Sequence, residues 1–588
     1  MTTEQQAFVA HEGEAFIQAC PGAGKTKTIV ARLARIAAGL PPRKGIAVLS
    51  FTNSAVDEFK ERCGREGLDE VLRYPSFIGT FDGFVRHFLI MPGGLDGVAV
   101  RPTILDSWAT LEIEIRLRGR QAFLGPGISL DSFHPETGQI DYQFIGHPGL
   151  RRHAQANQAA YEQAAAIRRR GLWAQGYLSA ADARVHAVNR LGDEAWSTNL
   201  GRAIAARFAE LIVDEAQDCN PLDLRILEWL RQYGMPVTLV CDPDQAIYGF
   251  RHGTPLGLQE FRGRYQETCR LSMTGNFRSS PPICKLAATL RERAVPDDSI
   301  GETADVTSPI LVLEYGGAAV PSTIGTQFVQ AIAAAGINLD DGIVLAHSRN
   351  AALRAAGLRL AGAAAGASKV AWVARMVSEF WTPTQGNRTR EASLRAFERL
   401  ILDVMGKLGT DEDSSRAAER NGIERRWLRR TALELLLKLP KVCPDTEQGR
   451  EAWIATLRLE LQGLGLPHPA GFSAGRYFTS PRTKAWSECL GQRDVEQLRG
   501  STIHEAKGRQ YEAVCLVIPP DRQIARSSQV LTMWENRSPD EAKRVIFVGV
   551  TRARRFLAVA VPAALTPRVL AILTRNDVPH RVQRIPDA

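Results

Sequence analysis

The stretch Ala19-Cys20-Pro21-Gly22-Ala23-Gly24-Lys25-Thr26 constrains this chain more than any other. Ahead of it, Ala15-Phe16-Ile17-Gln18-Ala19-Cys20 is apolar and too short for a helix, and reads as a buried strand. Behind it, Ile29, Val30, Leu33, Ile36 and Leu40 recur at helical spacing. Strand, glycine-rich loop, Lys-Thr and helix in that order make a phosphate-binding loop. Backbone N–H groups of Gly22, Ala23 and Gly24 wrap an anion there, and the helix N-terminus adds partial positive charge. Lys25 reaches the β- and γ-phosphates and the Thr26 hydroxyl binds Mg²⁺. Ala19 stands where the usual pattern begins with glycine. The expected nucleotide-binding segment runs from Ala19 through Cys20 and Pro21 to Lys27.

A chain of 588 residues divides into several domains. Its net charge of +9 suits a polyanionic partner, or else is a mild surplus spread over a solvated surface. The nine cysteines form no CxxC pair, which excludes a legible zinc or iron–sulfur framework and suits a reducing, cytoplasmic setting. No basic-then-apolar leader opens the chain, and no run of about 18 apolar residues spans a membrane.

Other stretches supply chemistry at strand ends, where ligands of open α/β sheets bind. Gln5 carries an amide able to read both edges of an adenine, though a glutamine near an N-terminus is more often solvated. Gly45–Ser50 is a strand ending in Phe51-Thr52-Asn53, and Phe77-Ile78-Gly79-Thr80-Phe81 is another. Leu211-Ile212-Val213 runs into Asp214-Glu215, where Asp214 can hold Mg²⁺ through water and Glu215 can deprotonate an attacking water. Val237–Cys241 ends in Asp242-Pro243-Asp244-Gln245, which places Gln245 near a γ-phosphate. Tyr248, Phe250 and Arg251 follow as a base-stacking platform, and Phe277 beside Arg278 offers an aromatic plane with a guanidinium. Arg168-Arg169-Arg170 reads as a solvated helix face or a phosphate contact. The aromatics and cations of 465–485, Phe472, Arg476, Tyr477, Phe478, Arg482 and Lys484, read as core packing or as a nucleic-acid surface.

Taken in order, these motifs resemble the UvrD/PcrA/Rep-like DNA helicases of superfamily one. TEQQ resembles the Q motif, ACPGAGKT the Walker A loop, LSFTNSA the following DNA-contacting motif and IVDEAQD the Walker B motif. IGTFDGF is similar to a family segment reading GTFHS, with Asp82 in place of the histidine. CDPDQAIYGFR resembles the motif coupling ATP to DNA, and GNFRSS the NYRS motif. STIHEAKG resembles TIHSAKGLEF, and FVGVTRA resembles YVGVTRA.

The resemblance implies an α/β protein of two RecA-like P-loop motor domains with parallel sheets, each carrying a mostly helical insertion. The first motor is expected over 1–90 and 191–275 with its insertion over 91–190. The second is expected over 276–350 and 495–588 with its insertion over 351–494. The resemblance further implies ATP and Mg²⁺ as cofactors, with Gln510 at the ribose, Phe277 on the adenine, and Gln245, Arg278 and Arg552 at the γ-phosphate. DNA contacts carried over by resemblance are Phe51, Thr52, Asn53, Thr80, Phe81, Tyr248, Phe250, Arg251 and His504. The expected activity is ATP-dependent, 3′–5′ translocation on single-stranded DNA with strand separation, in DNA repair or anti-phage defence. The expected substrates are single-stranded and partly duplex DNA. The competing reading is a DNA-sensing ATPase subunit that regulates a partner nuclease, as in Gabija-type phage defence. The tail after Arg552 is expected to be too short for a nuclease domain of its own.

Overall fold

The computed structural model describes residues 1–95, 97–111, 113–117, 123, 127–247, 255–292, 295–357, 369–381, 387–408, 414–441, 446–479, 498–521 and 527–586. Tyr248, Phe250, Arg251, Arg482 and Lys484 lie outside them. The chain divides into two compact units. One comprises Met1–Ile104, Leu172–Leu358 and Glu496–Ala588, the other Leu105–Gly171 and Arg359–Val495.

The first unit holds two six-stranded parallel sheets, so the fold is α/β with two RecA-like motor domains. The first sheet is built from β1 (Phe16–Ala19), β2 (Gly45–Ser50), β3 (Phe77–Thr80), β4 (Phe208–Val213), β5 (Val237–Cys241) and β6 (Arg270–Met273). Their spatial order is β6-β1-β5-β4-β2-β3. The second sheet uses β7 (Ile310–Tyr315), β8 (Gly342–Ala346), β9 (Arg499–Thr502), β10 (Tyr511–Val517), β11 (Ala553–Pro562) and β12 (His580–Arg584), ordered β9-β8-β10-β11-β7-β12.

Central strands are apolar on both faces because helices cover both faces, as a parallel sheet requires. In β2, Ala47 and Leu49 enter one core while Ile46 and Val48 enter the other. In β8, Ile343 and Leu345 part from Val344 and Ala346 in the same way. Side-chain alternation of period two makes one strand serve two cores.

Three helices frame the phosphate loop: α1 (Thr3–Ala10), α2 (Lys25–Ala37) and α3 (Asn53–Arg65). Arg32 of α2 is fully buried and pairs with Glu210 of β4 at 3.1 Å. Its Nη1 also donates to the carbonyls of Phe8 and His11 at 2.8 and 2.7 Å, which fastens α1 and α2 to the sheet. Helix Ala180–Arg190, inside the span read as an insertion, belongs to the first unit. Its Ala183, Ala187 and Val188 are buried in the core of the first sheet, which draws it there.

The second unit is mostly helical. Lys369–Trp381, Asn387–Val404, Arg425–Lys438 and Glu447–Gly463 close on Phe397, Leu435 and Trp453. Phe478 is fully buried in that core and Tyr477 and Phe472 pack against it, so these aromatics are structural. Arg169 is buried rather than solvated, and its Nη2 donates to the carbonyls of Leu130 and Phe133 at 3.2 and 2.8 Å. Among the described residues no helix is long and apolar enough to cross a membrane.

Candidate nucleotide site and its surroundings

Gly22 and Gly24 adopt φ of 79° and 73°, the left-handed region that glycine enters without strain. A Cβ on Gly22 would meet Asn276 Oδ1 at 2.5 Å, so the loop has no space for a side chain there. Gly24 caps α2 without any side-chain bond to the first-turn amides. Those amides carry the positive end of the helix dipole and suit an anion. The first-turn residues are Lys25, Thr26 and Lys27, and all three line a cavity of about 550 Å³.

Strand order brings the acids to the same cavity. The carboxyl ends of β1, β5, β4 and β2 lie side by side, and Asp214 follows β4 with its N–H donating to Leu49 O at 2.9 Å. Glu215 adopts φ 57°, unusual for a side-chain-bearing residue. Its N–H donates to Asp214 Oδ1 at 2.9 Å, and its carboxylate accepts from Gln217 Nε2. Lys25 Nζ stands 3.3 Å from Glu215 Oε1. Burial and the neighbouring Glu215 push Asp214 up to about 7. Burial also works to raise Glu215, but Lys25 and Lys507 outweigh it and hold this carboxylate at about 2. Burial opposes the charge of Lys25, while Glu215, Asp242 and Asp214 together keep its pKa above the ordinary value.

The second sheet supplies the other wall. Arg552 follows helix Glu541–Val550, is 1 % exposed, and its Nη2 donates to Gln245 Oε1 at 2.9 Å. Gln245 in turn donates from Nε2 to Asp242 Oδ2 at 2.6 Å. Arg278 donates from Nε to Gln510 Oε1 at 3.1 Å and from Nη1 to Thr551 O at 3.1 Å. Burial and the nearby Arg278 guanidinium push Arg552 down to about 9, and burial likewise lowers Arg278. A buried guanidinium beside a half-buried one, with too little negative charge between them, makes a site that an anion stabilises. Phe277 is 38 % exposed at the cavity wall, and its N–H donates to Gly22 O at 2.9 Å.

The residue set fits a magnesium nucleotide. Thr26 and Asp214 are hard oxygen donors in one cavity. Among the described residues no group of three or more His, Cys, Asp or Glu could hold a metal alone. A Mg²⁺ ion here would take its remaining ligands from phosphate oxygens and water.

Other expected residues sit elsewhere. Gln5 is 3 % exposed behind the loop, where its Oε1 accepts from Thr2 N at 2.9 Å and its Nε2 donates to Ala23 O at 2.8 Å. Its amide thus completes a capping box and braces the phosphate loop. Ala19 and Cys20 are buried, and Cys20 Sγ donates to Thr274 O at 3.3 Å. Pro21 is buried in the turn between them and Gly22.

The expected DNA track divides. Phe51 and Thr52 line the nucleotide cavity, Thr52 Oγ1 capping α3 at 3.2 Å from Ala55 N. Asn53 is exposed. Thr80 caps the turn after β3, accepting from Gly83 N at 3.0 Å. Phe81 is a correction: it is 1 % exposed, stacked on Phe51 at 5.7 Å, and lies in the core, where no base reaches it. Asp82 pairs with buried Arg184 at 2.5 Å, and Arg184 also binds Asp223 at 2.6 Å and lies over the Phe81 ring. His504 is half-buried at the end of β9, its ring edge-on to His347 at 5.6 Å. Burial and then His347 lower its pKa.

Phe81→Ala is accordingly expected to lower unfolding free energy by about 3–5 kcal/mol in denaturant titration, the ordinary loss for a core phenylalanine. An unchanged midpoint with weaker oligonucleotide binding would return Phe81 to the DNA track.

Lys507 escaped the sequence reading. Its Nζ donates to Asp218 Oδ1 and Oδ2 at 2.8 and 2.7 Å and to Gln245 O at 3.1 Å, which joins the two sheets. The signal was present as the lysine of STIHEAKG and the last acid of DEAQD, but the two lie far apart along the chain.

Residues 1–266 match the family model described as UvrD/REP helicase N-terminal domain. The chain is similar to ATP-dependent DNA helicase UvrD2 of Mycobacterium tuberculosis (strain ATCC 25618 / H37Rv), at 24% identity over 603 residues, covering 96% of this chain and 79% of that protein. It is also similar to DNA helicase II of Escherichia coli (strain K12), at 27% identity over 308 residues, 49% of this chain and 40% of that one. ATP-dependent DNA helicase PcrA of Leuconostoc citreum is 26% identical over 312 residues, 48% of this chain and 38% of that one.

Proposed function

We propose that this chain, similar as it is to UvrD2 and DNA helicase II, is an ATP-dependent DNA helicase moving 3′–5′ on single-stranded DNA. The observation that carries the reading is the convergence of Lys25, Glu215 and Gln245 from one sheet with Arg278 and Arg552 on one cavity. A hydrolytic site split between two motor halves opens and closes with nucleotide, and that motion drives translocation.

In this reading Phe277 stacks on the adenine, Gln510 meets the ribose and Lys25 binds phosphate oxygens. Thr26 and Asp214 hold Mg²⁺, which neutralises charge on the transferred phosphoryl group. Glu215 accepts the proton of the attacking water. Phosphate oxygens compete with Glu215 for Lys25, and a carboxylate relieved of that cation regains basicity. Gln245, Arg278 and Arg552 face the charge that develops in the transition state. Phe51, Thr52, Asn53, Thr80 and His504 remain the proposed DNA contacts, together with Tyr248, Phe250 and Arg251.

The test is ATP hydrolysis by the purified chain with and without oligo-dT, followed by strand displacement on duplexes bearing a 3′ or a 5′ tail. The expected result is DNA-stimulated hydrolysis and displacement from the 3′ tail. Hydrolysis that ignores DNA would overturn the reading. DNA-stimulated hydrolysis without displacement on either tail would favour a DNA-sensing ATPase acting on a partner nuclease.

A further inference from the structure

Lys543 lies on helix Glu541–Val550 of the second sheet, 2 % exposed. Its Nζ has no hydrogen-bond partner among the described residues. A buried ammonium without a partner is costly, and an apolar side chain of similar length would avoid the cost. Such a group calls for an explanation.

Its surroundings supply one. The turn Pro243–Gln245 carries the proposed γ-phosphate sensor and, one residue before it, Asp244. Asp244 Oδ2 is 3.0 Å from Arg291 Nε, and Arg291 is shared with Asp297 at 2.5 Å. The same helix holds this region at two further points. Arg544 Nε donates to Ala246 O at 2.8 Å, immediately after the sensor, and the Phe547 ring lies 5.0 Å from the Arg291 guanidinium. The charges acting on Lys543 are Glu292, Asp244 and Asp540, which favour its ammonium, and Arg544, which opposes it; burial opposes it most.

We infer that Lys543 is a positioning residue for Gln245: its ammonium takes Asp244 as partner when the turn moves, and so lets the second motor set the sensor of the first. Asp244 then has two cationic partners, Arg291 and Lys543, and the turn has two arrangements. Arg544 holds the backbone of the turn in register while the carboxylate exchanges. A buried charge kept for use in a second arrangement explains why no apolar residue fills the position.

This inference rests on the proposed ATPase function, and its experiment separates the two. ATP hydrolysis saturated with oligo-dT is measured for the wild type, Lys543→Met, Lys543→Arg, Asp244→Asn and the double variant Lys543→Met/Asp244→Asn. Thermal unfolding is recorded for each. Lys543→Met is expected to melt no lower than wild type, keep the ATP KM within about twofold, and lose about tenfold in kcat. Lys543→Arg restores most of that loss. The double variant is no slower than Asp244→Asn alone, the non-additivity of residues acting through one contact. Wild-type kcat in Lys543→Met overturns the inference and leaves the ATPase reading intact. A lower melting temperature with kcat and KM falling together, or additive losses in the double variant, assigns Lys543 to structure alone. A wild type that hydrolyses no ATP overturns both.

Discussion

Arg552→Lys is expected to lower the DNA-stimulated kcat by about 10³-fold or more, the lower range for a lost arginine finger. Lysine keeps the charge but loses the planar fork, and this site uses the fork. In the structure one guanidinium donates to Val548 O at 3.0 Å, Arg509 O at 3.2 Å and Gln245 Oε1 at 2.9 Å. A lysine ammonium cannot span those three acceptors from one position. Burial and Arg278 already press against the charge of Arg552, so the site gains most from an anion arriving between the two. That gain is largest in the transition state, where charge spreads over the transferred oxygens. Carbonyls left without a donor cost about 1–3 kcal/mol of stability, so melting is measured alongside kcat. A variant that melts lower yet hydrolyses at the wild-type rate would make Arg552 a structural clamp.

Glu215→Gln is expected to lower kcat by about 10²–10⁴-fold, the span for a lost general base, while ATP still binds. The replacement is nearly isosteric and keeps the oxygen that accepts from Gln217. It removes the anion 3.3 Å from Lys25, which frees that ammonium for phosphate. ATP affinity, read by displacement of a fluorescent nucleotide, should therefore hold or rise. Lys25→Ala should behave oppositely, with affinity lost first. Wild-type turnover in Glu215→Gln would remove the base from this position.

The phosphate loop and the acid pair were legible because each is a local pattern. A strand, a glycine turn and a helix start within fewer than thirty residues leave few alternatives, and three apolar residues ahead of Asp214 and Glu215 point to a strand end. The parallel-sheet rule then puts both at one edge without any knowledge of strand order. Phe81 shows the limit of that reasoning. A residue just past a strand end faces either ligand or core, and the choice fell to Arg184, whose buried pairing with Asp82 and Asp223 turns the segment inward. Gln5 shows the same limit. Its amide suits an adenine in isolation, and only the packed structure presents it with Thr2 N and Ala23 O.

The order of motifs along this chain determined its fold class and the inventory of one phosphate site, because both rest on short-range patterns of apolar spacing, glycine and charge. Tertiary structure alone decided the pairings. β1 lies between β5 and β6, strands more than two hundred residues downstream, and Gln245 meets Arg552 and Lys507 from the other sheet. Such contacts leave no periodic trace in sequence. They follow from how crossovers order the strands and from which buried charges must find partners once water is excluded.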